Sequence, residues 1–363
     1  MNFYISLTHN CQLRCSYCYA GDKFKKSINY PTLDATIDFI LSKVNSSFGL
    51  GFFGGEPLME WDKLTYATEK LEELASKKGI EFSKTVTTNG LALTQDKINW
   101  LIEHNFFLVI SIDGNSQMHN THRIYADKSE SFNKLVKNLS LANSSFDSSK
   151  LSTITVVTPE NIEHLSQSVK FLHEDMKIKR VRVSVDYFSN WEDTNTIETE
   201  FNKLKEYILE CYNKKDDIYL DIVDEKIKSH IQNSCFECNF GEFKIGIAPS
   251  GTLYPCERLI GEDTGKLSIG NVFSGFDSEA LAKIISSRGN KNEECQECEF
   301  KARCVNSCGC TNYYLTGNIA TTNGVLCYFQ KLIINTADEI ANKLYNEKNE
   351  LFMKKFYKVP PSN

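Results

Sequence analysis

The chain has 363 residues, enough for two or three compact units, and its 47 acidic and 41 basic residues leave a formal net charge of -6. This mild acidic surplus argues against a nucleic-acid binder that relies on a basic face. No apolar run approaches the roughly 18 residues needed to span a bilayer, and the N-terminal residues lack the pattern of a signal peptide. The composition predicts a soluble cytoplasmic protein that binds neither nucleic acid nor membrane.

The 13 cysteines are distributed very unevenly along the chain. Three lie within a short N-terminal stretch, none follows until Cys211, and all the others lie between Cys211 and Cys327. In a reducing compartment, clustered cysteines in a long chain are typical of metal ligands rather than disulfides. The distribution predicts two metal-bearing regions, with Cys211 itself expected to be a buried core thiol.

The first half of the chain alternates between strand and helix patterns. The predicted strands are short and mostly apolar on both faces, and they cover residues 2–8, 50–54, 85–88, 107–112, 153–158 and 180–186. Such alternation predicts an α/β fold with a parallel sheet, either open or curled, in which six units are too few for a full eight-stranded barrel. In both arrangements the functional residues collect on the loops that follow the strands.

Cys11, Cys15 and Cys18 share one tight loop after the first predicted strand. Four cysteine thiolates complete the coordination of a [4Fe–4S] cluster, so three leave one iron open to another ligand, as a catalytic cluster requires. A structural zinc site needs four protein ligands. His9 is the neighbour that would complete such a site, and zinc is therefore the alternative.

The spacing Cys11-x3-Cys15-x2-Cys18, with Tyr17 before the last cysteine, resembles the cluster-binding loop of the radical S-adenosylmethionine (SAM) enzymes. The resemblance implies a partial (β/α)6 TIM-like barrel and a [4Fe–4S] cluster whose open iron chelates SAM. One electron then cleaves the sulfonium bond, and a 5′-deoxyadenosyl radical abstracts hydrogen from an unactivated carbon. The cofactor supplies this chemistry, and the protein positions it.

Further stretches match the SAM-binding positions of that family. They are Gly54, Gly55, Glu56 and Pro57 after the second strand, Ser111 and Asp113 on the fourth, and Arg123 beyond it. The resemblance implies that the glycine-rich motif binds the SAM amino group, that Ser111 and Asp113 hold the ribose, and that Arg123 approaches SAM. Asn120 stands where aspartate is common in the string before Arg123, which weakens that assignment. Each stretch alone is typical of an ordinary turn, but their order at successive strand ends favours the cofactor site.

The second half of the chain carries a longer cysteine series. Its members are Cys235, Cys238, Cys256, Cys295, Cys298, Cys304, Cys308, Cys310 and Cys327. The turn signal at residues 249–251 predicts a β-hairpin that brings Cys256 back toward Cys238. The number of ligands is too high for one metal and sufficient for two four-ligand sites.

This layout resembles the SPASM domain, the cysteine-rich extension of radical SAM enzymes that act on peptides and proteins. The resemblance implies two auxiliary [4Fe–4S] clusters, three clusters in all. One takes Cys295, Cys298, Cys304 and Cys327; the other takes Cys238, Cys256 and Cys308, with Cys235 as the fourth ligand. Cys310 is surplus and competes with Cys235 for that place.

The resemblance covers nearly the whole chain and implies three regions. They are a radical SAM partial barrel at 1–215, a SPASM domain with a β-hairpin and short helices at 216–335, and a C-terminal helix and tail at 336–363. Only ten residues precede Cys11, so we expect leader binding to use the barrel rim, the auxiliary domain or a separate protein. The helical spacing across residues 328–345 predicts the C-terminal helix, and the tail is expected from residue 354.

The family resemblance implies a peptide maturase that abstracts hydrogen from a ribosomally made precursor and installs an oxidative crosslink, either thioether or carbon–carbon. The alternative is an anaerobic sulfatase-maturing enzyme that forms formylglycine, in which Glu257 matches a carboxylate that acts as the base. A non-catalytic iron–sulfur electron carrier is the alternative of another class, and it leaves the glycine-rich motif unexplained. The expected partners are a precursor peptide or protein and a reductant such as a flavodoxin or ferredoxin.

Overall fold

The computed structural model of the protein describes residues 1–232, 234 and 238–358. These residues pack into two units that interleave along the chain. The first unit contains Met1–Ser111, His122–Lys150 and Asn239–Arg288, and the second contains Ile112–Thr121, Leu151–Cys238 and the chain from Gly289 onward. The boundaries at residues 215 and 335 come from resemblance rather than from contacts, and they stay predictions.

The strands of the described chain are β1 (Asn2–Ser6), β2 (Ser47–Phe53), β3 (Glu81–Thr88), β4 (Phe106–Ser111), β5 (Leu151–Val157), β6 (Arg180–Val185), β7 (Tyr219–Leu220), β8 (Lys244–Ile247), β9 (Thr252–Tyr254), β10 (Gly270–Asn271) and β11 (Gly275–Phe276). In the first unit β1, β2, β3 and β4 pair in parallel and in sequence order. β8 pairs in parallel with the free side of β1, and β9 to β11 continue antiparallel from it. In the second unit β5, β6 and β7 pair in parallel.

The helices are α1 (Tyr30–Lys43), α2 (Trp61–Lys77), α3 (Gln95–Glu103), α4 (Ser116–His122), α5 (Phe132–Ser145), α6 (Leu165–Lys170), α7 (Thr194–Asn213), α8 (Asp221–Ile231), α9 (Ser278–Ser286), α10 (Glu293–Gln296), α11 (Gly309–Thr316), α12 (Gly324–Asn346) and α13 (Glu350–Phe352). Short 3-10 turns cover Pro57–Glu60, Ile162–His164, Glu257–Leu259 and Lys301–Arg303, and π-helical turns cover Phe171–Asp175 and Met353–Tyr357. No helix in the described part of the chain is long and apolar enough to cross a membrane.

The predicted α/β fold class is confirmed, and all six predicted strands are present. Phe3 and Ile5 of β1 are fully buried, and their register partners Leu50 and Phe52 of β2 are at most 2% exposed, as expected for strands that helices cover. β6 instead alternates, with Val181 buried and Arg182 exposed. The first turn of α3 is capped by Thr94, whose hydroxyl accepts a hydrogen bond from the backbone N–H of Lys97.

The predicted β-hairpin is formed by β8 and β9. Its turn is closed by the backbone N–H of Gly251, which donates to the carbonyl of Ala248 at 2.9 Å. Because β8 also pairs with β1, the hairpin extends the sheet that carries the N-terminal cysteine loop. Cys256 follows the second strand of the hairpin and is buried.

The C-terminal region agrees with the expected helix and departs from the expected tail. The helix runs over Gly324–Asn346, with the Asn323 side chain capping its first turn. Residues from 354 were expected to form a tail, but Met353–Tyr357 forms a helical turn because Phe352 is fully buried against Tyr212 and Phe356. Cys211 on α7 is buried, as predicted.

Lys355 anchors this C-terminal turn in the second unit. Its ammonium lies 2.6 Å from a carboxylate oxygen of Asp224, 3.1 Å from Asp217, and 2.6 Å from the carbonyl oxygen of Ile218. Asp224 is buried; burial raises the pKa of its carboxyl, and Lys355 opposes that shift. The ammonium therefore compensates a carboxylate that would otherwise be buried without a cation.

We expect Lys355→Met to lower the free energy of unfolding by about 3 kcal/mol, because it leaves the Asp224 carboxylate buried and unpaired. Chemical denaturation measures this change. The neighbouring exposed residue gives the control, Lys354→Met, which is expected to change stability by less than about 0.5 kcal/mol. A Lys355→Met/Asp224→Asn double variant should recover most of the loss, and equal effects of Lys355→Met and Lys354→Met would contradict the anchoring role.

Candidate functional site

Backbone contacts fold the N-terminal cysteine loop onto the segment that follows α4. The N–H of Arg14 donates to the carbonyl of Ile124 at 2.9 Å, and Leu13 forms a β-bridge with Tyr125. The guanidinium of Arg14 donates back to the carbonyl of Cys11 at 2.7 Å, and the N–H of Cys18 closes a turn on the carbonyl of Cys15 at 3.1 Å. The three thiols therefore lie on one short, fixed loop.

The surroundings of these thiols fit ligands of an iron–sulfur cluster. The Cys11 sulfur accepts hydrogen bonds from the backbone N–H of Leu13 (3.4 Å) and the amide of Asn89 (3.6 Å), and the ammonium of Lys23 donates to the Cys18 sulfur at 3.1 Å. Burial raises the pKa of the Cys11 thiol, as do the Glu56 carboxylate and the nearby Cys18. Hydrogen bonds to thiolate sulfurs are a means by which proteins stabilise bound clusters and tune their potentials.

His9 lies directly before this loop. Its ring is buried and stacks on Phe24 with the ring centroids 4.4 Å apart, and its Nε2 atom has no hydrogen-bond partner. No group of three or more His, Cys, Asp or Glu side chains in the described part of the chain converges as ligands of a single metal ion.

The glycine-rich motif lies against the start of the cysteine loop. The N–H of Gly55 donates to the carbonyl of Thr8 at 2.8 Å, and the N–H of Glu56 donates to the carbonyl of Asn10 at 2.9 Å. A Cβ atom on Gly55 would lie 2.1 Å from the Asn10 carbonyl oxygen, and Gly54 has a φ of +114°. Only glycine permits this close approach of the two segments.

Glu56 is buried, and its carboxylate is fully engaged by the protein. One oxygen accepts from the Thr88 hydroxyl at 2.6 Å and the backbone N–H of Leu58 at 3.0 Å, and the other accepts from the N–H of Asn89 at 2.7 Å. Burial raises the pKa of Glu56, and these hydrogen bonds oppose the rise. The side chain ties the end of β2 to the end of β3. Pro57 opens the following 3-10 turn, and the SAM contacts expected of this motif stay predictions.

Asn89 is a site residue that the sequence did not single out. It is buried, and its side-chain amide donates to the Cys11 sulfur at 3.6 Å and to the Gln12 side-chain oxygen at 3.1 Å. The available signal was its place directly after β3, where a polar residue ends a buried strand. Together with the Glu56 contact to its backbone, Asn89 positions the first cysteine of the loop.

The expected ribose residues occupy the end of β4 and the position just beyond it. Ser111 is the last residue of β4. Asp113 is fully buried, and its carboxylate accepts from the N–H of Val156 at 2.9 Å while its own N–H donates to Nδ1 of His119 at 3.4 Å. These contacts fix the Asp113 side chain within the second unit, and the ribose contacts stay predictions.

Arg123 lies against the cysteine loop rather than in solvent. It is buried, and its guanidinium lies 5.3 Å from the centre of the Tyr17 ring. The Ser131 hydroxyl donates to the Arg123 carbonyl at 2.5 Å, and the Ser16 hydroxyl lies 2.5 Å from Nδ1 of His122. The structure therefore brings Arg123 to the candidate site, and its contact with SAM stays a prediction.

Glu257 is also brought toward the cysteine loop, but its carboxylate is paired. One oxygen lies 2.8 Å from the Lys244 ammonium, and the other lies 3.4 Å from the thiol of Cys256. Burial raises the pKa of Tyr19, the residue after Cys18, and Glu257 adds to this rise. The predicted base therefore lies near the loop with protein donors at both oxygens.

Four predicted ligands of one auxiliary cluster line a single cavity in the second unit. The lining of this cavity includes Cys295, Cys298, Cys304 and Cys327. Burial raises the pKa of Cys295, and Cys327 and Cys298 raise it further; burial raises the pKa of Cys304 to about 11. Four thiols around one cavity are the donor set that a [4Fe–4S] cluster takes.

The other predicted auxiliary ligands are only partly described. The sulfurs of Cys308 and Cys310 lie 3.6 Å apart, and Cys310 is buried. Cys235 lies outside the described residues. Cys256 belongs to the first unit, while Cys238 and Cys308 belong to the second, so this ligand set stays a prediction.

The family model of the Radical SAM superfamily matches residues 5–172. That span contains the three-cysteine loop, the glycine-rich motif, Ser111, Asp113 and Arg123. Residues 5–172 therefore match a radical SAM domain, and over this span the chain is similar to radical SAM enzymes.

The relatives indicate which radical SAM enzymes this chain is similar to. It is 23% identical over 322 residues to a cysteine-type anaerobic sulfatase-maturating enzyme of Clostridium novyi (strain NT), covering 82% of this chain and 85% of that protein. It is 19% identical over 365 residues to the radical SAM cyclopropyl synthase TigE of Paramaledivibacter caminithermalis, covering 93% and 74%.

Solved structures share the fold. Native anSMEcpe with bound AdoMet matches with a TM-score of 0.80 at 17% identity, covering 96% of this chain and 100% of that chain. Streptococcus suis SuiB bound to precursor peptide SuiA matches with a TM-score of 0.62 at 17% identity, covering 90% and 75%. The fold similarity includes the cysteine-rich second half, and the resemblance to SPASM-type maturases is confirmed.

The contact between Asn89 and Cys11 leads to a testable expectation. Asn89→Ala removes the hydrogen bond that the Asn89 amide donates to the Cys11 sulfur. Loss of a hydrogen bond to a metal-binding side chain lowers metal affinity by about 10- to 100-fold. After anaerobic reconstitution, we expect a chelator to remove iron from the N-terminal cluster at least about tenfold faster than in the wild type. The iron of the N-terminal cluster is identified as the difference between the iron content of the wild type and that of a Cys11/Cys15/Cys18→Ala variant.

Asn138→Ala is the matched control. The Asn138 amide donates to the carbonyl of Gly90 at 2.8 Å, so it holds the loop after β3 that contains Asn89, but it makes no contact with any thiol that the structure describes. It should leave iron loss close to the wild-type rate. Equal rates for Asn89→Ala and the wild type would contradict the positioning role of Asn89.

Proposed function

We propose that the protein is a SPASM-type radical SAM maturase that oxidises a side chain of a ribosomally made precursor peptide or protein and thereby installs a crosslink, either thioether or carbon–carbon. The cavity lined by Cys295, Cys298, Cys304 and Cys327 carries this proposal. Oxidation of a side chain by two electrons needs a group that accepts the second electron, and an auxiliary cluster in this cavity meets that need.

In this proposal the cofactor supplies the radical chemistry, and the chain holds the cofactor in place. When bound at Cys11, Cys15 and Cys18, the [4Fe–4S] cluster with SAM supplies a radical that abstracts hydrogen. The chain holds the three thiols in place, through Asn89 at the first of them and through Lys23 at the last. The glycine-rich motif, Ser111, Asp113 and Arg123 are proposed to hold SAM.

The second auxiliary cluster and the partners complete the proposal. Cys238, Cys256 and Cys308 are its proposed ligands, with either Cys235 or Cys310 as the fourth. A flavodoxin or ferredoxin is the proposed reductant, and a separate protein is a proposed source of leader binding. The SPASM region is proposed to begin near residue 216.

Which product forms depends on whether the Glu257 carboxylate is free to accept a proton. Formylglycine formation requires a base that is free to accept a proton from the substrate. The Glu257 carboxylate is already paired with the Lys244 ammonium at 2.8 Å, and this pairing favours a crosslink. The similarity to sulfatase-maturating enzymes over 82% of the chain and the approach of Glu257 to Tyr19 keep formylglycine formation as the second candidate.

The proposed cofactor content predicts the iron of the reconstituted protein. At four irons per cluster, we expect about 12 irons per chain in the wild type. We expect about 8 in a Cys11/Cys15/Cys18→Ala variant and about 8 in a Cys295/Cys298/Cys304/Cys327→Ala variant. Cys211→Ala is the matched control, because Cys211 is a buried core thiol and should not change the count. About 4 irons in the wild type, with zinc present, would refute the auxiliary clusters.

The proposed product is tested by mass spectrometry on short peptides encoded next to the gene. A crosslink is expected to remove two hydrogens and leave a product that does not react with hydrazides, whereas formylglycine reacts with them. If Glu257 is the base, Glu257→Gln abolishes product formation; if it anchors the hairpin instead, activity falls only in step with stability. Glu262→Gln, at an exposed position in the same segment, is the control. A hydrazide-reactive product that disappears in Glu257→Gln would replace the crosslink by formylglycine.

A further inference from the structure

Lys226 of α8 lies beside the four-cysteine cavity. Its ammonium donates to the carbonyl oxygen of Arg303 at 2.5 Å and to the side-chain oxygen of Gln330 at 2.9 Å. The Arg303 carbonyl belongs to the peptide bond that leads into Cys304, and Gln330 lines the cavity itself. Both contacts place the cation at the edge of the cysteine site.

The cation has no carboxylate partner among the residues that the structure describes, since both of its hydrogen-bond acceptors are neutral. The adjacent guanidinium of Arg303 differs, because it is paired with the Asp338 carboxylate at 2.6 and 2.9 Å. Carboxylates on α8 are also engaged elsewhere, Glu225 with Lys228 and Asp224 with Lys355. Burial lowers the pKa of Lys226 to about 8, while Cys304 opposes this shift.

A half-buried ammonium without a counter-ion is costly. A cluster held by four thiolates carries a net negative charge, and its presence in the cavity would supply the missing partner. An anionic group bound at Cys304 therefore accounts for the burial of the Lys226 ammonium, which its neutral hydrogen-bond acceptors alone do not.

Gln330 fixes the direction of this cation. It is buried; its oxygen accepts from Lys226 and from the N–H of Val305 at 3.3 Å, and its amide group donates to the Tyr187 hydroxyl at 2.9 Å. Reversing the amide would place its N–H groups against two donors, so the network sets its orientation. Lys226 is therefore held at one place rather than free to turn toward solvent.

We propose that Lys226 is a positioning residue that raises the reduction potential of the auxiliary cluster bound by Cys295, Cys298, Cys304 and Cys327. When the cluster accepts one electron its charge becomes more negative by one, and a nearby buried cation stabilises that state. The effect favours transfer of an electron from the oxidised substrate to this cluster. The inference rests on the proposed function, which places a cluster in the cavity.

The experiment is a redox titration followed by electron paramagnetic resonance on the full chain carrying Cys11/Cys15/Cys18→Ala, which removes the signal of the N-terminal cluster. In that background, Lys226→Met is expected to shift the reduction equilibrium about tenfold toward the oxidised cluster, which is about 59 mV more negative for one electron. Lys226→Arg keeps the charge and should keep the potential. Lys228→Met removes a lysine from the same helix that is already paired with Glu225 at 2.9 Å, and it should also leave the potential unchanged.

Iron analysis separates this inference from the proposed function. If the background protein lacks auxiliary iron, both the cluster assignment and the role of Lys226 are refuted. If the auxiliary iron is present and Lys226→Met leaves the reduction potential equal to that of the Cys11/Cys15/Cys18→Ala protein, only the role of Lys226 is refuted. Should Lys226→Met lose its cluster, Lys226→Gln replaces it, because glutamine retains a donor for the Arg303 carbonyl and removes only the charge. An unchanged potential in Lys226→Gln would overturn the inference as well.

Discussion

The buried carboxylate of Glu56 is the interaction on which the N-terminal cysteine loop depends. An ionised carboxylate removed from water is costly unless hydrogen bonds replace its hydration, and here three donors from two neighbouring segments do so. One of those donors is the backbone of Asn89, whose side chain reaches the Cys11 sulfur. A single carboxylate therefore fixes two strand ends and the first thiol, and Gly55 allows the close approach that this arrangement needs.

The four-cysteine cavity rests on apolar packing instead of a buried carboxylate. Cys304 packs with Leu326 and Ile334 in one buried cluster, and Phe300 lies against it. Because Cys327 is in the first turn of α12, the same helix supplies one thiol of the cavity and the buried Leu326 and Ile334 beside it. Charges act more strongly in such surroundings than in water, which is the physical basis of the role proposed for Lys226.

The sequence predicted those features that depend on local pattern. Buried parallel strands have a local signature, so all six were located. The resemblance to the SPASM layout grouped the four thiols that line the cavity. The features it missed arise from tertiary contacts. β2 begins at Ser47 because Phe48 stacks on Phe82 of β3 with the ring centroids 4.7 Å apart. Lys226 gains its place from residues far away in the chain, and no local pattern marks it. Asn89 is marked only by its place after β3, and its contact with Cys11 is a tertiary one.

The pairing of β8 with β1 links the two cysteine regions in a way that ligand spacing alone does not reveal. β1 leads directly into Cys11, while the hairpin that starts on its other side leads into Cys256. Lys244 strengthens this junction, since its ammonium pairs with Glu257 and lies 4.9 Å from the centre of the Tyr4 ring on β1. Strand pairing is rigid, so the placement of Cys256 relative to the cysteine loop follows from sheet register. The relation between Cys11 and Cys256 is therefore built into the sheet.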